Sequence, residues 1–166
     1  MASRSSSWQP TSLSSGRNRF KLSTVKKLLR VGDEFSKDVT FDAESIQRYA
    51  TLVGDLNPLH HDDKFAENSR FGRLIASGMH TSSIVMGAAA SFVSGIGQNF
   101  GLEIFVRFRR AIRAGDSARI EWKVASIEDK PSLNGRILIL EGRLVRDDGE
   151  VAITARTKCL LVAPGT

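Results

Sequence analysis

The sequence predicts an α+β domain in which a buried helix lies against one antiparallel sheet. Three observations point there. Strand-like and helix-like segments are not interleaved: one strand comes first, then helices, and a run of strands fills the second half. Residues 78–93 are apolar nearly all round, with Ile84, Val85, Ala88, Ala89, Phe92 and Val93, which predicts burial. Asp147-Asp148-Gly149 separates the last two long apolar runs and reads as a hairpin turn.

The elements follow in order. Phe35 to Phe41 reads as a short strand. Asp42 is placed to cap a helix whose Ile46, Tyr49, Ala50 and Val53 recur at helical spacing, and Gly54 ends it as a left-handed cap. Asp55-Leu56-Asn57-Pro58-Leu59-His60 is a turn, and Asp62–Glu67 a short helix. Ile75-Ala76-Ser77-Gly78-Met79 leads into the apolar helix. The glycine-rich stretch from Gly95 to Gly101 reads as a turn; a dinucleotide fingerprint would open a helix, and this one follows one. Ile104, Val106 and Phe108 alternate with Phe105, Arg107 and Arg109 as in a strand, and residues 118–126, 136–146 and 151–162 continue the sheet.

The chain has 166 residues, 41% hydrophobic and 25% charged, which fits one globular domain. No charge-free apolar run of about 18 residues exists, so no membrane-spanning helix is expected. One cysteine excludes a disulfide-stapled scaffold. The net charge of +6 is misleading, because seven of the 24 basic residues lie among the first 32, which hold no acid. The remaining 17 basic residues face all 18 acidic ones, so the body carries about −1 and no nucleic-acid partner is expected. The head is rich in Ser and Arg, and Phe20, Leu22, Val25 and Leu29 among Arg19, Lys21, Lys26 and Arg30 would form an amphipathic helix. Residues 1–27 therefore read as a mitochondrial transit peptide, followed by a folded domain over 28–166. The C-terminal Ala163-Pro164-Gly165-Thr166 does not read as a peroxisomal address.

Two places carry chemistry. Asp55 and His60 sit five residues apart across a turn that Pro58 stiffens, restricting Asn57 as well, and a carboxylate with an imidazole is a workable acid–base pair. From spacing alone, a turn-capping Asp55 and a surface His60 fit better than a catalytic pair. Ser77-Gly78-Met79 opens the apolar helix, where free N–H groups and a partial positive charge would polarise a carbonyl, and where Ser77 would also serve as a simple cap.

Residues 41–79 resemble the MaoC-like, (R)-specific enoyl-CoA hydratase family. Asp55-Leu56-Asn57-Pro58-Leu59-His60 is similar to its hydratase signature, and Phe71-Gly72-Arg73-Leu74-Ile75-Ala76-Ser77-Gly78-Met79 to the block that follows. Downstream, Phe108-Arg109-Arg110-Ala111-Ile112-Arg113-Ala114-Gly115-Asp116 is similar to the strand that ends in Gly-Asp, with Ala111 where the family often has proline. The resemblance implies a hotdog fold, in which a curved antiparallel sheet wraps a long central helix, and a homodimer. It implies Asp55 and His60 as the catalytic pair and Gly78 as the backbone donor to a thioester carbonyl. Asn57, Ser77 and Met79 are expected at the substrate, Asn57 holding the turn and Ser77 the helix start. Neither a metal nor any other cofactor is implied.

Other candidates are set aside. His61 is expected to be a solvated turn residue and His80 a satisfied structural histidine. Cys159, in an apolar strand, reads as a buried small hydrophobe. Arg107, Arg109, Arg110 and Arg113 read first as a solvated strand face and second as a dock for an acidic carrier. Body and head together point to the (R)-3-hydroxyacyl-ACP dehydratase of mitochondrial fatty acid synthesis, with acyl-ACP or acyl-CoA thioesters as substrates and acyl carrier protein as partner. The alternatives are an (R)-specific enoyl-CoA hydratase of β-oxidation, a thioesterase, and a non-catalytic acyl-thioester-binding subunit.

Overall fold

The computed structural model describes residues 29–162; the expected transit segment over 1–27 lies outside them. The order is β1 (Glu34–Thr40), α1 (Ala43–Val53), a single 3-10 turn (Pro58–His60), α2 (Asp63–Glu67), α3 (Gly78–Ser94), β2 (Gln98–Phe108), β3 (Ser117–Lys130), β4 (Gly135–Arg146) and β5 (Val151–Val162). The five strands form one curved antiparallel sheet in the order β1-β3-β4-β5-β2. Among the described residues no helix is long and apolar enough to cross a membrane.

The core lies between α3 and the sheet. Val85, Ala89 and Val93 of α3 are buried with Ile120, Trp122 and Val124 of β3, Leu138, Leu140 and Leu144 of β4, and Ile153, Cys159 and Leu161 of β5. Trp122 donates its indole N–H to the Val85 carbonyl at 3.2 Å. The indole lies across Gly142, its partner on β4, where any Cβ would overlap the ring. Phe35 closes the far side by stacking on Phe92 at 3.9 Å.

Both caps of α1 are as expected. The Asp42 carboxylate accepts from the Ser45 amide, and Gly54 has φ of 72°. Two expectations, on the glycine stretch and on α3, are corrected. Leu29, read as part of an amphipathic helix, is buried in the core without helical structure, inside the expected domain of 28–166. β2 begins at Gln98, because the glycine stretch turns only briefly and then pairs with β5, with a bulge between Gly101 and Glu103. Helix α3 is not covered all round: Met79, Ser83, Gly87, Ala90 and Ser94 form an exposed stripe. On β2, Ile104, Phe105 and Phe108 stand 63%, 57% and 53% exposed. β2 is an edge strand of the sheet, with β5 on one side of it and no strand on the other.

Candidate active site

Asp55 is delivered by the end of α1. The left-handed Gly54 turns the chain back, and the Asp55 amide bonds the Ala50 carbonyl at 2.9 Å. Two side chains then brace the turn. Asp55 Oδ1 accepts from the Asn57 amide and Asn57 Oδ1 from the Leu59 amide, each at 3.1 Å. Pro58 opens the 3-10 turn without a missing donor, since its N–H would have had no partner there. His60 follows with its ring buried.

The imidazole is held from behind. His60 Nδ1 lies 2.8 Å from the Ile75 carbonyl. A carbonyl only accepts, so Nδ1 carries the proton and the neutral ring presents a lone pair at Nε2. That Nε2 stands 3.4 Å from Asp55 Oδ2. Two acceptors at this separation can both be served by one water molecule, and an imidazolium here would donate directly to the carboxylate. Sequence spacing left this pairing open; the structure brings the two side chains together.

The helix start lies beside them. Ile75 bonds the turn on one edge, its amide donating to the Leu59 carbonyl, while Ala76 bonds Ile112 on the other. Three residues after Ile75, Gly78 begins the 17-residue α3. Ser77, also buried, accepts from the His80 amide through Oγ at 3.1 Å. The Gly78 and Met79 amides have no acceptor among the described residues, as expected of a first helical turn. Asn57 and Ser77 thus spend their oxygens on the turn and on the helix cap, and Met79 is 63% exposed.

Two histidines differ from expectation. His61 is not simply solvated: it is half-buried, its Nε2 donates to the Asp55 carbonyl, and its own carbonyl accepts from Gln47. It therefore ties the Asp55–His60 turn to α1. His80 is buried, but its Nδ1 has no partner among the described residues. Its ring stacks on Tyr49 at 4.6 Å and meets the edge of Phe41, and burial lowers its pKa below the ordinary range. Cys159 is buried as expected, and that burial pushes its thiol up to about 11.

The sequence reading missed one contact between its own motifs. Asp116, after the left-handed Gly115, accepts from Arg73 at 2.8 Å and from the Arg113 amide at 2.9 Å, pinning the 71–79 block to the Gly-Asp turn. The signal was present in two motifs read separately. The four arginines nearby do not act as one patch: Arg110 pairs with Glu150 and Arg107 lies over Phe105. Among the described residues, no three His, Cys, Asp or Glu side chains converge as metal ligands.

The profile of the MaoC like domain matches residues 30–136, spanning both the turn and the helix start. The chain belongs to the MaoC-like family. An (R)-specific enoyl-CoA hydratase from Aeromonas caviae is 32% identical over 127 residues, 76% of this chain and 90% of that one. A mitochondrial 3-hydroxyacyl-[acyl-carrier-protein] dehydratase from Arabidopsis thaliana is 39% identical over 59 residues, 36% of each chain. The unliganded (R)-hydratase structure from Pseudomonas aeruginosa shares the fold, with a TM-score of 0.73 at 24% identity over 81% of this chain and 83% of its own. The MaoC-like chain is therefore a hotdog-fold enzyme of the hydro-lyase class.

Proposed function

We propose that the protein is an (R)-3-hydroxyacyl-[acyl-carrier-protein] dehydratase of mitochondrial fatty acid synthesis, acting reversibly through Asp55, His60 and Gly78. The observation that carries the chemistry is the 3.4 Å approach of His60 Nε2 to Asp55 Oδ2, with Nδ1 anchored on Ile75. In dehydration, the Gly78 amide receives the thioester carbonyl oxygen and stabilises the negative charge that develops there. This acidifies C2; one acceptor of the pair takes the C2 proton, and the pair then passes that same proton to the departing 3-hydroxyl, ending in the protonation state in which it began. The C3–O bond breaks, water leaves, and the electron pair from C2 forms the trans-2 double bond. Hydration is the reverse, with the water held between the same two acceptors. Asn57 and Ser77 act by holding the turn and the helix start, and Met79 flanks the entrance.

The mitochondrial and carrier assignments rest on the acid-free basic head and on the local likeness to the plant mitochondrial dehydratase. A second reading, an (R)-specific enoyl-CoA hydratase of β-oxidation, is favoured by the longer match to the bacterial CoA hydratase. The open edge of β2 and the exposed stripe of α3 support a homodimer in either case.

The test is water addition to a short trans-2-enoyl thioester presented on CoA and on acyl carrier protein. An (R)-3-hydroxy product, with the carrier-protein thioester preferred, is expected. Preference for CoA selects the second reading. A folded protein that adds no water to either substrate overturns both and leaves a binding subunit, or a thioesterase if the thioester is cleaved. A reporter carrying residues 1–32 should enter mitochondria, and retention in the cytosol would overturn that assignment.

A further inference from the structure

Phe108 ends β2 with half of its ring exposed, and the tip of that ring stands on Gly78. A Cβ placed on Gly78 would lie 2.9 Å from Phe108 Cζ and 3.2 and 3.3 Å from the two Cε atoms. The ring therefore touches the backbone residue whose amide is free. The hydrogen bonds around residues 74–76 fix the side from which it comes. Ile75 directs its amide and carbonyl toward Leu59 and His60. The Leu74 carbonyl and the Ala76 amide point the other way, to the Ala114 amide and the Ile112 carbonyl, on the segment that follows Phe108. Gly78 emerges from this segment with the Asp55–His60 turn on one flank and Phe108 on the other.

We propose that Phe108 is a specificity-determining residue that forms the wall behind C2 of the substrate, opposite the acid–base pair, and excludes a branch at that carbon. This rests on the reaction proposed above. A carbonyl oxygen about 2.9 Å from the Gly78 nitrogen brings the carbonyl carbon and C2 alongside a ring that sits on the adjacent Cα. In the 3-hydroxyacyl thioester C2 is tetrahedral and bears two hydrogens. The one removed must face Asp55 and His60, so the other points to the ring. A 2-methyl group takes that second position and meets the ring directly. A methyl group at residue 78 would displace the tip of the ring.

The experiment compares wild type, Phe108→Ala and Phe108→Leu on an unbranched (R)-3-hydroxyacyl thioester and its 2-methyl counterpart, as a mixture of C2 epimers, with folding checked by circular dichroism. The ratio of kcat/KM for the branched over the unbranched substrate should rise by about tenfold or more in Phe108→Ala, the usual worth of one accommodated methyl group, and by less in Phe108→Leu. A ratio unchanged in both variants overturns the proposal even if both lose activity. A wild type that dehydrates neither substrate refutes the proposed reaction instead, and the two failures are distinct. Should Phe108→Ala not fold, Gly78→Ala alone and with Phe108→Leu decides. The single variant keeps the amide but loses activity against the ring, and the double variant should regain about tenfold; no regain overturns the contact.

Discussion

The turn from Gly54 to His61 and the flank made by β2 and the open stripe of α3 are built on opposite principles. In the turn, polar groups find partners: Asp55 caps the Asn57 amide, Asn57 caps the Leu59 amide and His61 holds the Asp55 carbonyl, all within six residues, while His60 reaches Ile75 fifteen residues on. The flank is apolar and unmet, with Met79 and Ile104 each 63% exposed and Phe100 and Leu102 each 50%. An apolar edge strand with free backbone groups is a pairing surface. The contrast teaches that the Asp55–His60 geometry is fixed by hydrogen bonds within one chain, whereas the flank presents apolar surface that a second copy would cover. Substitutions should separate the two regions cleanly.

The largest expected effect lies in the turn. Asp55→Asn and His60→Ala should each lower kcat by roughly 10²–10⁴, the usual contribution of a positioned acid or base, with the dimer and the melting temperature little changed. Full activity in either folded variant would remove that residue from the chemistry. The next effect lies on the flank. Ile104→Glu places a charge on the edge of β2 and should convert a dimer to monomer in sedimentation velocity, while the wild type sediments as a dimer. A wild-type monomer would sink the assignment of this edge as the dimer contact. A smaller effect returns to the turn. Asn57→Ala removes the cap on the Leu59 amide and should lower kcat by roughly tenfold, the equivalent of about 1.4 kcal/mol, by loosening the carboxylate rather than removing it. A change confined to KM would show that Asn57 contacts substrate instead.

The same contrast governs what the sequence disclosed. The turn was legible because its determinants are local: Gly54 at φ 72°, Pro58 at the head of the 3-10 turn, and the Asp42 and Ser77 caps all act over one to four residues. Most of the strand pattern was legible too, since β3, β4 and β5 bury alternate residues against α3. What escaped is set by partners distant in the chain. The apolar pattern of α3 says that its faces are to be covered, not what covers them, so the stripe from Met79 to Ser94 read as interior. Alternation marks β2 as a strand but cannot reveal that it is an edge. Arg73 and Asp116 meet across 43 residues, and Phe108 meets Gly78 across the sheet edge. His80 read as an ordinary core histidine because nothing local shows that Tyr49 and Phe41 pack its ring while leaving Nδ1 unpaired.

His80 supplies the smallest test, because it shares the buried site with His60 but lacks an anchor. Burial lowers its pKa from the ordinary 6.5; Asp42 pulls the other way, and His60 adds to the lowering. In the unfolded chain His80 takes up a proton as pH falls through about 6.5, while in the folded protein it stays neutral until its lower pKa is reached. The unfolded state therefore gains protons first. The full stability is present above pH 6.5 and declines as the pH falls toward the folded value. His80→Phe keeps a ring against Tyr49 but has no proton to bind, so its melting temperature should fall less than that of wild type between about pH 7 and 5, by roughly 2 °C. His60 is present in both proteins, so the comparison reads the His80 proton together with its repulsion of His60. Parallel curves would mean that the unpaired Nδ1 finds a partner on protonation, and the distinction between the two histidines would then rest on the Ile75 anchor alone.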